Sequence, residues 1–124
     1  MLPDLELLRS LASAYGIARV IDARTTPDDP TVVANDLVRY PNQSWLVGRD
    51  ELILGVYDNE EIKVASFFHE LGHLLVVQPE RLPSVPAIEA EAWRLGLALA
   101  AGHGIMFSAA VESYVAGCLD SYKE

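Results

Sequence analysis

Three prolines fall between Gln78 and Pro86. Proline lacks a backbone N–H and pushes the residue before it out of the helical region, so no regular helix crosses this stretch. The apolar segments on either side are therefore two helices. The first should run from about 60 to 77, with Asp58 or Asn59 as its cap and Glu60 and Glu61 in its first turn. Ile62, Phe67, Leu71, Leu74 and Leu75 supply its apolar contacts. The second, Ala87 to Ala101, is rich in Ala, Leu and Glu. Gly102-His103-Gly104 breaks it, and Ser108 can cap a last helix ending near Asp120.

Upstream, Leu2 to Tyr15 places apolar residues at 5, 8, 11, 12 and 15, one face of a helix that Gly16 can stop. Ile17 to Ala23 reads as a strand and Thr25 to Pro30 as a loop. Thr31 to Val38 is ambiguous, with a moderate strand preference, and Tyr40 to Ser44 turns around Pro41-Asn42. Trp45-Leu46-Val47 and Leu52 to Tyr57 flank Gly48-Arg49-Asp50-Glu51, a β-hairpin with a four-residue loop. The expected class is α+β within one domain over 1–124: an N-terminal helix, a short, mostly antiparallel sheet, then three helices.

Hydrophobic residues make up 51% of the 124, enough for a single core. Nine Lys and Arg face 18 Asp and Glu, a net charge of −9. Such a surface repels phosphate backbones and anionic lipid, which argues against nucleic acid or membrane as partner. Cys118 is the only cysteine, so an internal disulfide and a multi-cysteine zinc cluster are both impossible. The longest uncharged run, Leu95 to Val111, contains three glycines and falls short of the ~20 apolar residues a bilayer span needs. Asp4 and Glu6 stand where a secretory signal would be basic, so a reducing, cytoplasmic setting is expected.

The chemistry concentrates in His69-Glu70-Leu71-Gly72-His73, an H-E-x-x-H pattern. Positions four apart on a helix sit one turn on and about 40° round, so both imidazoles can point at one ion. Zinc accepts neutral imidazole nitrogen. Glu70, beside the first histidine, is placed to take a proton from the attacking water and deliver it to a leaving amine. Gly72, unfavourable inside a helix, suggests that the sheet or the next helix packs closely there.

A catalytic zinc site needs a third protein ligand and an open position. The candidates are Glu89, Glu91 and His103; Glu80 lies in the proline-rich loop, close to the motif. Glu89 and Glu91 are two apart on one helix and cannot both face the metal. Glu89 shares its side with Ile88, Ala92 and Trp93, whereas Glu91 can pair with Arg94 at i, i+3. Helical position favours Glu89 and leaves the other two as alternatives.

At these residues the chain resembles the ImmA/IrrE family of zincin metallopeptidases. The resemblance covers about residues 50–100. It is carried by His69-Glu70-Leu71-Gly72-His73-Leu74-Leu75, the proline-containing loop, and Glu89-Ala90-Glu91-Ala92-Trp93-Arg94-Leu95. It implies a small zincin-like core in which His69, His73 and Glu89 hold Zn2+, Glu70 is the general base, and Ala92 is the small residue three positions after the ligand. It also implies a specific protein substrate, commonly a helix-turn-helix repressor in mobile elements or stress responses. Trp93 departs from the pattern, standing where the family usually has Asn or Asp. The Phe-Ala and Leu-Met-Pro that usually follow are replaced by Leu95 to Ala101.

Leu52 to Tyr57 is either an internal strand or one whose free edge holds a peptide in extended form. Tyr57, Tyr114 and His103 are candidate oxyanion donors, each more readily explained by packing or capping. Trp45 and Trp93 should be core or half-buried, at least one of Phe67 and Phe68 should be core, and Cys118 should be a small buried hydrophobe. Three functional classes follow. One is a zinc-dependent endopeptidase acting on a specific partner protein. Another is a catalytically weak or inactive zincin-fold binding module, motivated by Trp93 and the short chain. The last is a relic that binds no metal.

Overall fold

Capping side chains fix where the long helices begin. The computed structural model describes residues 2–34, 44–77 and 79–121. Asp4 accepts from the Leu7 N–H (2.9 Å) and starts α1 (Leu5–Ser13). Asn59, the second of the two caps offered by the sequence, accepts from Ile62 (3.1 Å) and starts α3 (Glu60–Leu75). Ser84 and Ser108 do the same for α4 (Val85–Gly102) and α5 (Ala109–Asp120). Between α3 and α4 the described part of the proline-rich stretch forms a 3-10 turn, Pro79–Arg81. Pro86 sits in the first turn of α4, where its missing N–H costs nothing.

The remaining elements are β1 (Arg19–Asp22), a short α2 (Pro30–Ala34), β2 (Trp45–Val47) and β3 (Glu51–Leu54). The class is α+β, but the sheet is mixed rather than mostly antiparallel. Its order is β1-β3-β2, with β3 parallel to β1 and antiparallel to β2. The hairpin loop is one residue shorter than the sequence pattern suggests, because Glu51 joins the ladder opposite Val47. That leaves Gly48-Arg49-Asp50, with Gly48 at φ +65°, a left-handed position suited to glycine. β3 ends at Leu54. Gly55 donates its N–H to Ser44 Oγ (3.1 Å) instead of to a strand.

Where the sequence leaned towards a strand after Thr31, the chain forms α2. The reason is local: Asp29 accepts from the Thr31 N–H (2.9 Å), and Pro30 is preset for a first helical turn. The rest of that segment, 35–38, and most of the turn read at Tyr40–Ser44 lie outside the described residues.

β3 is covered on both faces. Leu52 and Leu54 pack with Leu8 and Ala12 of α1 and with Val64, Phe67, Phe68 and Leu71 of α3. Ile53 faces the other way, onto Ile21, Ala23 and Val32. Phe67 and Phe68 are both fully buried and meet edge to face, centroids 5.1 Å apart. A partly buried ion pair ties sheet to helix: Lys63 Nζ lies 2.9 Å from Asp22 Oδ2. Arg24 adds a 3.0 Å bond to the Tyr57 carbonyl, fixing the lead-in to α3. Among the described residues no helix is long and apolar enough to cross a membrane.

Candidate metal centre

The site exists because α3 and α4 approach at backbone distance. A methyl on Gly72 would sit 2.8 Å from the Ala92 carbonyl carbon and 3.0 Å from the Gly96 nitrogen. One on Gly96 would sit 2.7 Å from the Phe68 carbonyl carbon. Gly72 therefore marks packing against the next helix, not the sheet. Gly96, to which the sequence reading gave no role, is its counterpart on α4. With the backbones this close, a side chain early in α4 reaches imidazoles late in α3.

Glu89 is that side chain. Its Oε2 lies 2.8 Å from His69 Nε2 and 3.2 Å from His73 Nε2. The two alternatives are elsewhere. Glu91 is paired with Arg94, whose Nε is 3.2 Å from Oε2. His103 caps the far end of α4 and is exposed. Glu91→Ala should therefore leave metal stoichiometry unchanged, as read by metal analysis of the purified variant. A metal loss equal to that of a Glu89 variant would overturn this placement.

The charges in the cluster are coupled. Burial opposes ionisation of Glu89, yet hydrogen bonds from His69 and His73 draw its carboxyl down to about 2. His69 is pushed below the usual histidine range by burial, against its bond to Glu89. His73 is raised, chiefly by its own bond to Glu89. Glu70 is 9% exposed, and burial lifts its carboxyl to about 7, with the charge of His73 opposing. Its Oε1 is 3.7 Å from His69 Nδ1. A carboxyl poised near neutrality beside a ligand cluster suits proton transfer.

These residues line a cavity of 630 Å³ together with Trp45, Leu46, Tyr57, Trp93 and Tyr114. Ser66, also in its wall, is a polar group the sequence reading missed. It stands three residues before His69, a spacing that puts both on one helix face. Ser66 Oγ lies 2.6 Å from the Tyr57 hydroxyl, which also lies 3.1 Å from Ser44 Oγ. Burial raises the Tyr57 and Tyr114 hydroxyls, so both are neutral O–H groups at physiological pH.

Of the two readings of the strand before α3, the structure selects the internal one: Leu52 to Leu54 is paired on both edges and holds no free edge for a peptide. Two expectations change. Trp45 is 41% exposed at the cavity wall rather than core, because β2 is an edge strand. Cys118 is half-buried and also lines the cavity.

The donor set fits zinc. Two imidazole nitrogens and one carboxylate oxygen lie within 4.8 Å of one another. Ligands ~2.1 Å from a tetrahedral ion stand about 3.4 Å apart, somewhat beyond the 2.8 and 3.2 Å that separate Glu89 Oε2 from the two imidazole nitrogens. The cavity provides the open side that a catalytic site needs. Comparison with protein-family models, with curated proteins and with solved structures finds no match.

Proposed function

We propose that the chain is a zinc-dependent endopeptidase on a zincin-like core. The observation that carries this reading is the convergence of His69 and His73 on one oxygen of Glu89, with buried Glu70 beside them in an open cavity. His69, His73 and Glu89 would hold the ion. When bound, zinc supplies Lewis acidity to the scissile carbonyl and to water. Glu70 does the proton work: its carboxylate takes a proton from the attacking water and passes it to the departing amine nitrogen as the C–N bond breaks. The carbonyl carbon keeps the water oxygen. Tyr57 and Tyr114 line the same cavity, the Tyr57 hydroxyl being held by Ser44 and Ser66.

The substrate is a segment of a specific partner protein. The resemblance to ImmA/IrrE peptidases points to a transcriptional repressor, met in the cytoplasm. The test is metal content of the purified chain beside Glu89→Ala, followed by a peptide-library digest. About one zinc per parent chain, sharply reduced in the variant, with zinc-dependent cleavage, supports the reading. No metal after zinc is supplied removes it. Zinc without any cleavage favours the binding module.

A further inference from the structure

The orienting of a metal-ligand histidine is commonly assigned to a hydrogen bond on its second nitrogen. Here His69 Nδ1 is 3.7 Å from Glu70 Oε1, too long for such a bond. What holds the ring is a face. The Trp93 ring lies parallel to His69, centroids 4.1 Å apart and planes 6° from each other. Trp93 itself is 4% exposed and fixed from behind. It packs in a cluster with Ala65 of α3 and Val111 of α5, and Tyr114 meets it edge-on at 6.2 Å.

We propose that Trp93 is a positioning residue for the metal site, orienting His69 by stacking in place of a hydrogen bond. The inference rests on the zinc reading above. Indole offers one N–H donor and no acceptor, so it cannot take a proton from imidazole. A flat ring against the imidazole face instead blocks rotation about the last side-chain torsion, which is otherwise broad. Nε2 is left aimed at Glu89 Oε2. The stack also favours the loaded state, because a histidine ring bound to a dication is electron-poor and the indole face is electron-rich.

The test uses the full chain. Zinc affinity is measured by competition with a chromophoric chelator for the parent, Trp93→Phe and Trp93→Leu. Cobalt-loaded forms are compared by visible absorption. Trp93→Leu should bind zinc roughly 10- to 100-fold more weakly, the range typical of lost outer-shell support, and shift the cobalt bands. Trp93→Phe, which keeps a ring face, should stay near parental affinity with parental bands.

A second measurement avoids a core substitution. In Trp45→Phe, Trp93 is the sole tryptophan, and its emission should change on zinc addition and return on chelation. Equal zinc affinity and identical cobalt spectra in Trp93→Leu would overturn the positioning role while leaving the zinc site standing. Silent Trp93 emission on zinc binding would also overturn it, even if Trp93→Leu fails to fold. A parent chain that binds no zinc removes the site and this inference together.

Discussion

Gly72→Ala is expected to lower both the stability of the protein and the zinc affinity of the proposed site. The added methyl meets backbone, 2.8 Å from the Ala92 carbonyl carbon and 3.0 Å from the Gly96 nitrogen. A side-chain tip could swing away, but a helix backbone can yield only by moving α4 as a body. Overpacking of this kind costs about 1–3 kcal/mol or more, and this crossing joins the two most extensively packed helices. The loss of metal follows from the same movement. Glu89 rides on α4, and its contacts to His69 and His73 are 2.8 and 3.2 Å. A displacement of about 1 Å takes the third ligand out of range, so zinc affinity should fall at least 100-fold. Gly117→Ala is the matched control. It lies in α5 with nothing within 4 Å of the added methyl, so it should be neutral or stabilise by up to about 1 kcal/mol. Thermal melts and zinc titrations of both variants check this. Parental melting and parental zinc binding in Gly72→Ala would mean that the helices are not locked at this distance.

The parts of this arrangement that were legible in the sequence are those governed by short-range rules. The starts of α3 and α5 followed from Asp58-Asn59 and Ser108, residues that satisfy backbone groups locally, whereas the Ser84 cap, which starts α4 two residues before the expected Ala87, was not read. The pairing of His69 with His73 followed from helical spacing alone. Glu89 was favoured over Glu91 because one choice shared a side with apolar residues and the other had Arg94 within reach. What spacing could not supply was anything set by tertiary contact. β1 pairs with β3, not with the next described strand in sequence, and no local rule specifies that choice. The stack of Trp93 on His69 depends on a helix crossing whose depth is set by Gly72 and Gly96 together. Only Gly72 invited a packing explanation, since it interrupts a recognisable motif. Asp29-Pro30 is a readable helix start, but the β-branched Thr31, Val32 and Val33 that follow favour a strand, so the local signals conflict there.

Glu70→Gln separates chemistry from folding more sharply than any other single change. The amide keeps the shape of the side chain and cannot accept a proton. Cleavage of whichever library peptides the parent cuts should fall by about 10²–10⁴-fold, the usual worth of a general base. Zinc content should hold, because Glu70 is not among the three converging ligands. The stability effect should run the other way. In the metal-free chain, burial raises the Glu70 carboxyl from 4.5 to about 7. A group raised on folding contributes its full stability below the unfolded value and loses it as pH rises through the folded one. The metal-free parent therefore gives up as much as about 3 kcal/mol between pH 4.5 and pH 8 on this account. Glutamine, neutral throughout, gives up none. Melts of the chelated proteins should thus show Glu70→Gln above the parent at pH 8, by about 5–10 °C, with the gap closing towards pH 4.5. A residue kept for structure would lose activity and stability together when replaced. One kept for its chemistry against the preference of the fold loses the first and gains the second. A Glu70→Gln chain less stable than the parent at pH 8 would place Glu70 among the structural residues and remove the base from the mechanism.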